Sequence, residues 1–149
     1  MSVRQWKPSA RAGNPATVMS TDLNSLADGA AVLSGALSND ANDELDLYAD
    51  VELLFTAAAA PDADMTLDLY VVRSVDGTNF EDATAARPPA SGYVGSFVSA
   101  NSTGAQRLVV PRVELPPEDF KLLLVNNLGA ALVASGNVLT ALFYTEQVV

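Results

Sequence analysis

"LDLYADVELLF", residues 45–55, decides how the rest of this chain is read. Its odd positions are Leu45, Leu47, Ala49, Val51, Leu53 and Phe55, all apolar, and its even positions are Asp46, Tyr48, Asp50, Glu52 and Leu54. Successive side chains of a strand point to opposite faces, so apolar residues at every second position predict a β-strand with one face buried and the other solvated. The pattern returns after "APDAD" (60–64), where Met65, Leu67, Leu69 and Val71 alternate with Thr66, Asp68, Tyr70 and Val72.

Outward from these two segments, shorter runs predict further strands: "YVGSFV" (93–98), "QRLVVPRVEL" (106–115), "FKLLLVN" (120–126), "AALVAS" (130–135) and "VLTALFYTE" (138–146). Turn-forming residues separate them at Asn101 to Gly104, Pro116-Pro117, Asn126 to Gly129 and Gly136-Asn137. The stretch "STDLNSLADGAAVLSGALSND" (20–40) reads either as two weak strands around Asp28-Gly29 or as a short helix from Asp22. Strands are favoured because no polar face of helical width is visible. About eight antiparallel strands without a long helix predict an all-β fold, an antiparallel β-sandwich that is jelly-roll-like. No repeat at fixed spacing supports a propeller or solenoid.

Composition narrows the chemistry. At 149 residues the chain has the size of one domain, and 49% hydrophobic content supplies a core. It contains no cysteine, which rules out disulfides, thiol nucleophiles and cysteine-ligated metal sites and suits a reducing cytoplasm. It contains no histidine, which removes the usual neutral-pH general base and the commonest metal ligand. No catalytic, cofactor-binding or metal-ligating residue is assigned, and the expectation is a protein without enzymatic activity. The first twenty residues carry positive charge but no apolar run of a secretory signal. The longest uncharged stretch, Leu128 to Tyr144, is shorter than a membrane span and is broken by Gly136-Asn137, so no membrane partner is expected.

Charge is divided along the chain. Residues 1–21 carry +3 from Arg4, Lys7 and Arg11, the remainder carries −13, and the whole is at −10. An acidic body repels phosphate backbones, so no nucleic acid partner is expected. Residues 1–16, with Pro8, Gly13 and Pro15, read as an extended basic N-terminal arm, and residues 17–149 as a single β-sandwich domain. The arm is either a disordered tail or a segment that orders against a neighbouring subunit. In the second case Trp6, the only tryptophan, is its apolar anchor, with Arg4, Lys7 and Arg11 meeting acidic surface.

Other candidate sites are weaker. Asp40, Asp43, Glu44, Asp46, Asp50 and Glu52 suggest a cation or a carboxylate pair, but strand alternation places Asp46, Asp50 and Glu52 along a solvated face. A cation at the 40–46 turn and a glycosidase-type pair are the remaining readings. The loop "ATAARPPASG" (83–92) is apolar and proline-containing. It reads as a rigid connection or as an interface loop presenting Arg87, Pro88 and Pro89. In "SVDGTNF" (74–80), Asp76-Gly77 marks a tight turn after which Phe80 folds back onto the sheet.

Two resemblances bear on function. The Ser-x-Asp-Gly-x-x-aromatic segment at 74–80 resembles a hairpin of discoidin-like carbohydrate-binding jelly rolls, with Phe80 where those usually carry tryptophan. More extensively, "DLYVVRSVDGTNFED" (68–82), "ASGYVGSFV" (90–98), "AQRLVVPRVELPPEDFKLLLVNN" (105–127) and "ASGNVLTALFYTEQVV" (134–149) resemble capsid cement or head decoration proteins of tailed bacteriophages. The most specific parts are "LPPEDFKLLLVNN" and "YTEQVV". This resemblance implies a non-enzymatic virion structural protein, made in the host cytoplasm. It would bind the major capsid protein on the outer surface of the head, often as a homo-oligomer, dimer or trimer. A carbohydrate-binding module of a fibre or cell-surface protein is the alternative.

Overall fold

The computed structural model describes residues 2–39 and 45–149. Its strands are β1 (Arg4–Pro8), β2 (Ala16–Met19), β3 (Ala31–Leu33), β4 (Tyr48–Phe55), β5 (Thr66–Arg73), β6 (Tyr93–Val98), β7 (Gln106–Glu114), β8 (Phe120–Asn127) and β9 (Val138–Val148). The one helical element among the described residues is a 3-10 turn, Thr21–Leu23. All pairings are antiparallel and form two sheets. Sheet A has the order β1-β9-β4-β7, with β2 also alongside β9, and sheet B has the order β3-β8-β5-β6. From β3 onward the chain passes repeatedly between the sheets, which gives the jelly-roll form of the predicted sandwich.

Alternation builds the core between the sheets. Ala49, Val51, Leu53 and Phe55 of β4 point inward from sheet A, and Leu67, Leu69 and Val71 of β5 point inward from sheet B. Phe55, Phe97, Phe120 and Phe143 fill the space between them and are fully buried. Each such side chain stabilises the fold by about 1.5–3 kcal/mol relative to exposure.

Several sequence expectations change in detail. The alternation at 45–55 fails over its first three residues. Leu45 and Leu47 are exposed at 45% and 46%, whereas Asp46, assigned to the solvated face, is buried at 2%. Leu45 has φ 44, so the chain is not extended there, and the ladder starts at Tyr48. Asp46 is drawn inward by its backbone N–H, which donates to Asn39 Oδ1, and by an ion pair with Arg11. Asp40, Asp43 and Glu44 lie outside the described residues.

The segment 130–135 is not a strand. Its backbone groups divide between two segments: Ala131 C=O and Val133 N–H bond Ala58 and Thr56 around the single bridge of Leu132 to Ala57, while Leu132 N–H donates to the Leu26 carbonyl and Val133 C=O accepts from Ser25. No continuous ladder can form under that division. Residues 20–33 combine both earlier readings, with a 3-10 turn before Asp28-Gly29 and a single strand after it.

The segment 1–16 is extended from Arg4 to Pro8, and β1 pairs with the chain's own β9, from Arg4 opposite Val148 to Pro8 opposite Tyr144. β2 follows along the other half of the same strand, from Ala16 opposite Ala141 to Met19 opposite Leu139. Together they make one interrupted edge of sheet A.

Candidate functional site

Even-numbered residues of β4 and β9 point away from the core onto the outer face of sheet A, where Tyr48 lies opposite Tyr144 and Asp50 opposite Leu142. Trp6 of β1 joins them. Its ring meets Tyr144 edge-on at 5.4 Å between centroids and Tyr48 at 5.9 Å. Arg112, from the far strand β7, reaches over this group, its guanidinium 4.7 Å from the Tyr48 centroid and 5.3 Å from that of Trp6. Its Nη2 donates to the Tyr48 hydroxyl at 3.5 Å and lies 3.8 Å from Glu146. The backbone of Arg112 has φ 53, directly after Pro111, where the β4–β7 register shifts. This local bulge re-aims the side chain.

Asp50 organises the centre of the face. Its Oδ1 accepts the Tyr144 hydroxyl at 3.0 Å and the Arg112 backbone N–H at 2.8 Å. Burial, together with this hydrogen bond to a carboxylate, pushes the Tyr144 phenol up to about 12. Trp6, Pro8, Asp50, Leu142 and Tyr144 line a hollow of 340 Å³. A second hollow of 270 Å³, lined in part by Asp50, Leu142, Val109 and Pro15, shares two of its residues with the first. Beyond it Arg107 pairs with Glu52. The face is unusually apolar for a solvated sheet: Trp6 is 54% exposed, Val109 51% and Leu142 40%.

The predicted interface residues separate into three groups. Trp6 stands on this face. Arg4 lies on the same face, 3.6 Å from Glu146 in a solvent-screened pair, whereas Lys7, opposite Thr145, is exposed on the other face of β1. Arg11 turns inward, which corrects its assignment to an exposed charge. Its Nε and Nη2 hold Asp46 Oδ2 at 3.2 and 3.1 Å, Nη1 donates to the Ser38 carbonyl at 2.7 Å, and the guanidinium lies 4.5 Å from the Phe143 centroid. The loop residues also divide: Arg87 is exposed and Pro88 half-buried, whereas Pro89 is buried and so is not available to a partner. A Cβ on Gly92 would lie 2.2 Å from the Val71 carbonyl and 2.8 Å from Pro89 Cγ, so glycine is what allows Pro89 to pack there.

The segment "SVDGTNF" is a self-contained turn. Asp76 Oδ1 accepts the N–H groups of Thr78 and Asn79, and Oδ2 accepts the Asn79 side chain. These donors, Asn79 first, hold the Asp76 carboxyl well below the usual range. Gly77, at φ 72, supplies the left-handed position. Phe80 then packs with Ala83 and Ala85 over Val72, Leu123 and Val125 on the outer face of sheet B, with Lys121 Nζ 4.2 Å from its ring centroid. Further along that face, Ser96 and Asn127 donate to the two oxygens of Asp68, and Ser96 also bonds Tyr93.

Sequence reasoning found Trp6 but missed Tyr48, Leu142, Tyr144 and Arg112. Their signal was present in part, since aromatic or apolar residues stood at solvated positions of alternating strands. Among the described residues, no group of acidic side chains is placed to hold a metal ion, and no helix is long and apolar enough to cross a membrane. No protein-family model matches the chain, and no curated protein matches it.

Proposed function

We propose that this protein is a non-enzymatic virion structural protein that attaches to the outer surface of a phage head through the outer face of sheet A, with the major capsid protein as its partner. The observation that carries this reading is the outward-facing group of Trp6, Tyr48, Tyr144 and Arg112 beside the exposed Leu142 and Val109. Tryptophan, tyrosine and arginine are the residues that dominate binding energy at protein interfaces. Presented on a rigid sheet, they lose little freedom on docking.

The carbohydrate-binding alternative draws on the same aromatic cluster. However, a guanidinium already lies over Trp6 and Tyr48, and an ammonium over Phe80, so one face of each ring is occupied before any sugar stacks on it. The protein–protein reading fits these rings better.

Co-sedimentation with undecorated capsids tests the proposal, with light scattering for assembly into a dimer or trimer. Trp6→Ala should weaken capsid binding at least tenfold, as expected of a hot-spot residue worth about 2 kcal/mol or more. Wild-type protein that stays in the supernatant, or a Trp6→Ala variant that sediments equally well, rejects this face as the attachment surface. Glycan-array binding that Trp6→Ala abolishes would select the carbohydrate reading instead.

A further inference from the structure

We propose that the hollow between Trp6 and Tyr144 on sheet A is a seat for an arginine side chain presented by a protein partner. This deepens the attachment reading by naming the chemistry of contact, and rests on it only for the partner's identity. The hollow measures 340 Å³, at the lower end of the range of about 300–1,000 Å³ for ligand sites. Two aromatic rings form its walls, Pro8 and Leu142 complete its apolar lining, and among the described residues Asp50 is its only charged group.

The polar groups favour a ligand that only donates. The Asp50 carboxylate accepts and cannot donate. Its Oδ1 is held by Tyr144 and by the Arg112 backbone, while Oδ2 accepts no hydrogen bond among the described residues. The Tyr144 hydroxyl has its proton committed to Asp50. The indole N–H of Trp6 is therefore the one uncommitted donor among the lining side chains. Sugar hydroxyls need donors and acceptors together, and an anion would face Asp50. A guanidinium carries five donors and no acceptor and also lies well on aromatic rings.

The molecule already shows this recognition once. On the neighbouring part of the face, Arg112 lies over Trp6 and Tyr48 with a carboxylate, Glu146, 3.8 Å away. The hollow offers a trio of the same kind, Trp6 with a tyrosine and a carboxylate, and among the described residues no basic side chain lines it. Charge does not oppose this: the chain stands at −10, and Arg4 and Arg112, the arginines beside the Trp6 cluster, are both paired with Glu146.

Trp6 is the chain's sole tryptophan, so its fluorescence reports on the site directly. The experiment titrates the full-length protein with N-acetyl-arginine amide, its neutral isostere N-acetyl-citrulline amide, and maltotriose. The arginine ligand should produce a saturable change in emission, at least fivefold weaker for Asp50→Asn, whose amide oxygen can still accept from Tyr144 and Arg112. Citrulline and maltotriose should produce none. No saturation with arginine, equal saturation with citrulline, or an unaltered affinity in Asp50→Asn overturns the seat. Saturation by maltotriose in place of arginine would assign the hollow to carbohydrate. Because the ligands are small and capsids are absent, failure here leaves the attachment reading standing, and failure of co-sedimentation leaves the seat standing.

Discussion

The outer faces of the two sheets come from strands of the same kind, yet they end in opposite states. On sheet B the chain after β5 returns over the sheet, so Phe80, Ala83 and Ala85 cover Val72, Leu123 and Val125 and create a second small core. Leu123 is 1% exposed although it points away from the main core. On sheet A, Leu142, in an equivalent outward position, is 40% exposed beside Trp6. Apolar residues on an outward face therefore have two fates, burial under a covering loop or exposure. The connection between strands decides which one applies.

The largest expected effect concerns what holds β1 against sheet A, without which its outer face has no Trp6. Arg11→Ala leaves the Asp46 carboxylate buried without its cation and should cost about 3–5 kcal/mol in chemical denaturation, the usual result of breaking a buried pair from one side. A loss below about 1 kcal/mol would mean that β1 and its following loop are not integral to the sheet, and the contrast between the faces would lose one of its sides.

The second effect compares the faces directly. Leu123→Ala should cost about 2–5 kcal/mol, as large-to-small changes do at packed sites. Leu142→Ala should stay within about 0.5 kcal/mol, as at exposed positions. Similar losses for the two would show that the faces are equally covered.

The smallest effect is a pH dependence that Tyr144 gives to sheet A. The folded chain holds the Tyr144 proton more tightly than the unfolded chain, with a pKa of about 12 against an ordinary value of about 10. The associated stability is fully present below pH 10 and is lost as the pH rises through about 12. In thermal melts across that window, Tyr144→Phe should lose less Tm than the wild type. Identical slopes would remove the Tyr144–Asp50 contact from the description of this face.

The strands were legible because period-two alternation is a local property. Leu67, Leu69 and Val71 needed nothing but their own spacing to be placed inward. The Asp76 turn was also legible, since its hydrogen bonds reach only to Ser74, Thr78 and Asn79. Asp46 was not, because its burial depends on Arg11, which is 35 positions away in the chain. The same holds for the arm, whose extended form follows from its prolines but whose partner, β9, lies at the opposite terminus.

The sequence by itself determined that this is an all-β chain with a strongly acidic body, without histidine or cysteine chemistry, and which residues of its long strands alternate between faces. Tertiary structure alone decided which outward face remains open and which side chains meet there. Trp6, Tyr48, Arg112 and Tyr144 come from four strands, β1, β4, β7 and β9, and are brought side by side only by the sheet order β1-β9-β4-β7. That order is set by long-range pairing across a shared core, a property that no single stretch of the chain contains.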